Sequence, residues 1–149
     1  MENQNPNVET QYRTMTVLWL ALLNAQLMLP VVLFFAKREI FNFDFAKPPL
    51  GENPAIIIAF AVLGIAAFLL SFVLRKRLVR KAISERKTSL VQTALIIACA
   101  LCEATTLFGF VSAFAFNYQF FFLWFAFGIL GVILHFPKRD DLIAASYSK

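Results

Sequence analysis

Glu103 is the residue of this sequence whose surroundings most strongly suggest a chemical role. It is an isolated carboxylate near the middle of a long apolar segment, and no Lys or Arg lies in that segment or in three other apolar segments. A carboxylate in hydrocarbon is costly, so removal from water favours the neutral, protonated form. Two interpretations follow: Glu103 binds a proton or Na⁺, or it is a neutral side chain that forms a polar contact between helices or subunits.

The other reactive side chains predict neither a metal site nor an active site. Cys99 and Cys102 form a C-x-x-C pair, but no second Cys or His pair accompanies them, so we expect them to act as small packing residues. His135, the only His, is expected to anchor the end of a helix. No phosphate-binding loop, Ser-His-Asp set or pair of catalytic carboxylates is present. We therefore predict a protein that is not an enzyme and needs no cofactor, apart from a proton or Na⁺ at Glu103.

Composition and four apolar segments predict the elements that hold these residues. The chain has 149 residues, of which 60% are hydrophobic and 15% charged, whereas soluble proteins average about 45–50% apolar and about 25% charged residues. The apolar segments run from about Thr16 to Phe35, Ala55 to Leu74, Leu90 to Phe116 and Phe120 to Phe136. Each is long enough to cross a bilayer as a helix, which takes about 20 residues, although the fourth is near the lower limit, and none alternates as a transmembrane strand would. The predicted fold is all-α, an integral membrane four-helix bundle.

The positive charges predict the orientation of this bundle. Four spans place the N-terminus, the central loop and the C-terminus on one side of the membrane. That side carries 11 of the 14 Lys and Arg residues, and the other side carries Lys37, Arg38 and Lys47. By the positive-inside rule, we expect a multi-pass protein of the cytoplasmic (inner) membrane with both termini in the cytoplasm. Setting topology and contacting anionic headgroups are sufficient roles for the basic loop, so nucleic acid is not an expected partner.

Internal repetition divides the chain into two related hairpins. Residues 21–35 align with residues 100–114 at an offset of 79 positions, and residues 53–75 align with residues 117–139 at an offset of 64. This pattern predicts two repeated transmembrane hairpins in parallel orientation. The predicted division is a polar N-terminal segment (1–15), hairpin 1 (16–75), a basic cytoplasmic loop (76–88), hairpin 2 (89–137) and a C-terminal tail (138–149).

Small side chains predict where the helices pack closely. They recur at spacings of three and four and are Ala98, Cys102, Thr105, Gly109 and Ser112 on the third segment, Gly64, Ala67 and Ser71 on the second, and Gly128 and Gly131 on the fourth. Such seams let backbones approach each other in lipid, which supplies no hydrophobic drive for helix association. The first segment has no such seam and is expected to pack less tightly. Trp19, Tyr118 and Trp124 are expected in aromatic belts at the membrane surfaces.

The repeat also aligns Asn24 with Glu103, so these two residues are expected at similar depth, where they could meet across an internal axis. The stretch Ala100–Phe114 resembles the ion-binding helix of rotary ATPase proteolipids, the c or K subunits, in which a buried Glu precedes an Ala and an aromatic-Gly pair. The duplicated hairpin resembles four-helix vacuolar-type proteolipids, in which one copy can lack its carboxylate. The resemblance implies that Glu103 is the ion site and Thr106 a neighbouring ligand. The chain departs from that family in placing Glu103 on the first helix of its hairpin.

Together, these features predict a non-enzymatic integral membrane protein, either a small subunit of a membrane complex or a self-assembling oligomer. Its expected partners are the lipid bilayer and either other membrane subunits or further copies of the chain. The alternative is a proteolipid-like subunit that translocates protons or Na⁺ through Glu103, with Thr106 and Asn24 nearby. A small Glu-coupled multidrug antiporter fits less well, because such chains are shorter and do not show this duplication.

Overall fold

Five α-helices make up the fold of the described part of the chain. The computed structural model describes residues 6–42, 44 and 48–147, and no strand occurs among them. The α-helices are α1 (Pro6–Ala36), α2 (Pro54–Glu85), α3 (Thr88–Phe116), α4 (Phe122–Leu134) and α5 (Arg139–Ser146), with short 3₁₀ helices at Arg38–Phe41 and Gln119–Phe121. The all-α prediction is confirmed for these residues, and the helices are compatible with a bundle in a membrane.

Three of the helices are long and apolar enough to span a membrane. They are α1, α2 and α3, and α4 meets the same test only together with α5, across a bend of 46°. At 1.5 Å per residue, α4 extends about 20 Å, which is less than a hydrocarbon core of about 30 Å. The helix ends at Leu134 rather than at the predicted Phe136, because Pro137 disfavours a helical conformation in the residue before it.

Helical structure extends beyond the apolar segments. Most of the N-terminal segment 1–15 is helical, because α1 begins at Pro6. The basic segment 76–88, predicted as a loop, is also mostly helical, since α2 continues to Glu85 and only Arg86 and Lys87 connect it to α3. Lys and Arg are good helix formers, and the chain turns where Arg86 adopts a left-handed conformation with φ 56°. Helix α5 occupies most of the predicted tail.

Helix α3 lies at the centre of the bundle. It packs against α2, α4 and α1, whereas α1 packs mainly against α3, α4 and α5. The helices of the predicted first hairpin, α1 and α2, are therefore not paired as α3 and α4 are. Of the most apolar stretch of α1, 11% is buried inside the bundle, whereas 44% of the corresponding stretch of α3 is buried. Most of the apolar surface of α1 thus faces outward.

Two apolar clusters fill the bundle, one towards each end. We call the end with the α2–α3 connection and α5 the basic end, and the opposite end the loop end. The cluster at the basic end includes Met15, Leu95, Cys99, Val132 and Leu142, and the cluster at the loop end includes Leu33, Ile57, Phe121, Trp124 and Phe125. At the basic end, Arg139 Nη2 lies 3.3 Å from Glu9 Oε2, and this ion pair joins α5 to the start of α1.

The charge asymmetry between the two ends is present in the described residues. Lys47 and Lys149, which contribute to the predicted asymmetry, lie outside them, as do residues 1–5. Of the basic residues described, Lys37 and Arg38 lie at the loop end. Those at the basic end are Arg13, Arg75, Lys76, Arg77, Arg80, Lys81, Arg86, Lys87, Lys138 and Arg139. The basic end therefore carries most of the positive charge of the part of the chain that the structure describes.

Glycines on α2 and α3 determine the position of Trp124. A Cβ atom added at Gly64 would lie 2.8 Å from Trp124 Cζ3, and one added at Gly109 would overlap Trp124 Cβ. The Trp124 side chain is buried among these helices, with 8% exposed. The indole of Trp124 therefore lies in the interior of the bundle, where the two glycines leave room for it, and its place in an aromatic belt stays a prediction.

Candidate functional site

A layer of polar side chains lies between the two apolar clusters. Its members are Gln26 on α1 and Glu103, Thr105 and Thr106 on α3. Their common depth follows from Lys37, whose Nζ donates hydrogen bonds of 2.6 Å to the carbonyl oxygen of Phe114 and to Asn117 Oδ1. Helices α1 and α3 run in the same direction. Eleven residues before Lys37 is Gln26, and eleven residues before Phe114 and Asn117 are Glu103 and Thr106, so these side chains lie at similar depth. This polar layer is therefore near the middle of the bundle.

The two threonines of the polar layer have hydrogen-bonded hydroxyls. Thr105 Oγ1 donates to the carbonyl oxygen of Gly64 at 3.1 Å, and Thr106 Oγ1 donates to the carbonyl oxygen of Cys102 at 3.3 Å. Both side chains are buried. Thr105 thereby links α3 to α2. Thr106, predicted as a neighbour of an ion site, keeps acceptor capacity on its oxygen, because a hydroxyl has two lone pairs.

Glu103 and Gln26 lack such partners. Glu103 is half-buried, and its inaccessible Oε1 has no hydrogen-bond partner among the described residues. Gln26 is 1% exposed, and neither atom of its amide is paired within the same part of the chain. Leaving a buried polar group unpaired costs about 1–3 kcal/mol. The polar layer therefore contains buried polar atoms that a proton, a cation or another polar group could satisfy.

Gln26 is not evident as a site residue from the sequence, although it lies two positions from Asn24. Two residues correspond to about 200° around an α-helix, so the two amides point to opposite sides of α1. Gln26 faces inward, and Asn24 is exposed. Asn24 makes no hydrogen bond to Glu103 or to any other described residue. The structure therefore places Asn24 on the outer surface of α1 and does not bring it together with Glu103.

The predicted small-residue seams face the interior of the bundle. The buried members are Ala98, Cys102, Thr105, Gly109 and Ser112 on α3, Gly64 and Ser71 on α2, and Gly128 and Gly131 on α4, while Ala67 is half-buried. A Cβ added at Gly128 would overlap Thr106 Oγ1, and one added at Gly131 would lie 2.5 Å from Cys102 Sγ. The glycines of α4 thus allow its close approach to α3.

A hydrogen-bonded network anchors the end of α4 to α2. Ser71 Oγ donates to the carbonyl oxygen of Phe68 at 2.6 Å and accepts from His135 Nε2 at 2.9 Å. His135 Nδ1 in turn accepts from Arg75 Nη1 at 3.2 Å, and Arg75 Nη2 donates to the carbonyl oxygen of Phe136 at 3.0 Å. This pattern assigns a neutral imidazole with its hydrogen on Nε2. A hydrogen on Nδ1 would leave two donors, Nδ1–H and the guanidinium N–H, facing each other with no acceptor.

Neither a metal-binding group in the described residues nor a match to a known protein assigns a further role to the bundle. Cys99 and Cys102 are buried free thiols. In the described ranges, no group of three His, Cys, Asp or Glu side chains is arranged to hold a metal ion. No protein-family model, curated protein or solved structure matches the chain. The resemblance to rotary ATPase proteolipids stays a prediction, and function must be inferred from the geometry of the bundle.

Proposed function

We propose that the protein is a non-enzymatic integral membrane protein that assembles with further copies of itself through α1. The observation that carries this proposal is Asn24, an exposed side-chain amide in the middle of the apolar segment Thr16–Phe35. The exposed residues of α2 and α4 within their apolar segments are all apolar. Neither helix therefore offers a comparable polar group on its outer surface.

An unpaired amide at this depth is poorly compatible with lipid. Transfer of an amide from water to an apolar environment without a hydrogen bond costs roughly 2–7 kcal/mol. Asn24 carries both donor and acceptor atoms, so two copies related by a two-fold axis can pair their amides reciprocally. Self-assembly removes the cost with no second kind of chain, and polar side chains associate transmembrane helices in this way.

The residues around Asn24 give α1 a continuous contact face, which we call the α1 outer face. It consists of Val17, Leu20, Asn24, Leu27 and Val31, at alternating spacings of three and four residues. The apolar members are between 43% and 65% exposed. This spacing keeps one face of a helix against a partner that crosses at about 20°. Its Leu and Val side chains supply packing, and a single polar residue fixes the register.

We also propose the placement and origin of the chain. The excess of Lys and Arg at the basic end supports a cytoplasmic location of both termini, in the cytoplasmic membrane. Duplication of a hairpin is supported by the sequence alone, in which residues 21–35 align with 100–114 and residues 53–75 with 117–139. In a mixed membrane complex, the α1 outer face would contact a different subunit.

Energy transfer between copies in lipid vesicles tests self-assembly. Donor- and acceptor-labelled chains, each labelled at the C-terminus, are reconstituted at a lipid-to-protein ratio at which chance encounters give no transfer. We expect transfer that decreases in proportion to added unlabelled chain. Transfer at the chance level at every protein density would contradict self-assembly. Co-purification of a second membrane protein in that case would indicate a mixed complex.

The unpaired carboxyl of Glu103 favours a second candidate function, a proteolipid-like subunit that translocates protons or Na⁺. Its buried Oε1 lies near the depth of the unpaired amide of Gln26. Thr106 is three residues from Glu103, a spacing that places side chains on neighbouring positions of one helix face. Carboxylate, amide and hydroxyl oxygens could together coordinate Na⁺. Asn24 does not belong to this set, because it faces outward.

Labelling with a hydrophobic carbodiimide tests the ion-binding role of Glu103. We expect labelling of the wild type to increase at low pH, where more carboxyl is protonated, and to decrease when Na⁺ competes for the site. Glu103→Gln should abolish labelling, whereas Glu85→Gln, at the exposed end of α2, should leave it unchanged. Labelling that does not respond to pH or Na⁺ would contradict translocation and leave Glu103 as a polar contact.

A further inference from the structure

The basic end contains a cavity that neither proposed function uses. It has a volume of about 380 Å³ and lies between α2 and the corner at which α4 turns towards α5. Phe72 and Leu134 form part of its wall on the side of the apolar segments, Val79 and the neutral His135 also line it, and the other wall residues are charged. The cavity therefore has an apolar part next to the membrane interior and a charged part beyond it.

The charged part of the cavity is strongly basic. Arg75, Lys76 and Arg80 of α2 and Lys138 line it, and Asp141 is the acidic residue in its wall. Lys76, Arg80 and Lys138 are exposed and make no hydrogen bond or ion pair with other residues of the described ranges. Four positive charges against one negative charge favour an anionic occupant.

Arg75 is already held in the position that such an occupant requires. Two of its N–H donors bind His135 Nδ1 and the carbonyl oxygen of Phe136. A guanidinium has five N–H donors in a fixed planar arrangement, so donors remain for a further acceptor. Arg is well suited to phosphate, because two parallel N–H groups can bind two oxygens of the same group. The network with His135 thus orients Arg75 at the boundary between the two parts.

The apolar part of the cavity continues onto surface that faces lipid. Leu134 is 54% exposed, and Leu69, two turns from Lys76 on the same side of α2, is 58% exposed. An occupant with hydrocarbon chains could therefore extend them along α2 and α4 while its charged group stays among the basic residues. A free anion without hydrocarbon chains would gain no free energy from contact with this apolar surface.

We infer that this cavity binds the headgroup of an anionic phospholipid. Its phosphate lies among Arg75, Lys76, Arg80 and Lys138, and its acyl chains lie along the exposed faces of α2 and α4. The cavity is at the end of the apolar segments, the depth at which headgroups occur, and basic pockets between membrane helices are suited to such lipids. The site is independent of assembly through α1.

Native mass spectrometry of the whole protein in a neutral detergent tests this site. Dioleoyl phosphatidylglycerol is titrated, with dioleoyl phosphatidylcholine as the zwitterionic comparison. The variant K76Q/R80Q/K138Q is expected to bind phosphatidylglycerol at least about tenfold more weakly, with phosphatidylcholine binding unchanged. The matched control R13Q/R77Q/R86Q removes three exposed basic residues outside the cavity whose side chains also lack an ion pair within the described ranges, and we expect it to lose no more than about twofold.

Three outcomes would overturn the inference. Equal losses in the two triple variants would indicate general surface electrostatics, and equal binding of the two lipids would indicate no headgroup preference. Binding of chain-free glycerophosphoglycerol as tightly as phosphatidylglycerol would indicate a site for a free anion. If thermal unfolding shows that the triple variant is not folded, Lys138→Gln alone, which leaves α2 unchanged, is expected to weaken phosphatidylglycerol binding about fivefold. Unchanged binding by Lys138→Gln would then contradict the site.

Discussion

Asn24→Leu is expected to lower the self-association of the protein in lipid vesicles by about tenfold. The substitution removes the amide that needs a partner and leaves an apolar side chain that lipid accommodates as well as another helix does. An interhelical polar contact in a membrane contributes about 1–2 kcal/mol in model helices, and 1.4 kcal/mol corresponds to a factor of ten. Energy transfer measured as a function of protein density in the membrane gives the change directly.

Two variants distinguish loss of the amide from damage to α1. Asn24→Gln keeps an amide at the same position, and we expect it to retain most of the association. Asn24→Leu combined with Leu27→Asn moves the amide three residues along the α1 outer face and should restore association. Undiminished energy transfer in Asn24→Leu would show that the amide does not hold the copies together. Failure of the relocated amide would argue against this face as the contact surface.

Gly128→Ala is expected to destabilise the bundle by about 1–3 kcal/mol, as overpacking of a close contact usually does. A Cβ at this position would overlap Thr106 Oγ1 and lie 2.8 Å from the carbonyl oxygen of Cys102. The Thr106 side chain can change rotamer, but the Cys102 carbonyl belongs to the backbone of α3. Helices α3 and α4 must therefore separate. Circular dichroism during unfolding in mixed detergent micelles would measure the loss of stability.

Two further variants test whether the close approach of α3 and α4 is responsible. Ala126→Val adds bulk on the exposed side of the same helix and should change the free energy of unfolding by less than about 0.5 kcal/mol. Combining Gly128→Ala with Thr106→Ala removes the overlap with the hydroxyl but not the contact with the Cys102 carbonyl, so we expect partial rescue. A free energy of unfolding equal to that of the wild type in Gly128→Ala alone would mean that α4 does not pack this closely.

The membrane helices were predictable from the sequence because their apolar segments are long and almost free of charge. Their ends were less predictable, since hydropathy marks where lipid begins and not where a helix stops. Helix α2 continues to Glu85 through residues that form helices well in water, whereas Pro137 favours an early end for α4. The rotation of each helix about its own axis was also not predictable from the sequence. Trp124 lies in the interior because Gly64 and Gly109 leave space for it.

For the polar residues of the apolar segments, the depth in the membrane could be predicted from the sequence, but the side of the helix to which each side chain points could not. Asn24 and Glu103 are visible in the sequence as polar side chains in apolar segments. The outward direction of Asn24 depends on the packing of α1 against α3 and α4, because residues 17–35 of α1 are apolar on all sides except at Asn24 and Gln26. The hydrogen bond between Ser71 and His135 joins residues 64 positions apart. No local pattern in the sequence indicates that contact.

Cross-linking through single cysteines on α1 is the most direct test of assembly through the α1 outer face. Cys99 and Cys102 are first replaced by Ala, and single cysteines are then introduced along residues 17–32 and at Val62 and Leu69 of α2. In vesicles, with Asn24 itself kept in every variant, a short thiol-specific cross-linker should join copies most efficiently at Leu20 and Leu27, and weakly at the two positions on α2. Equal cross-linking at all exposed positions, or a maximum on α2, would contradict assembly through α1.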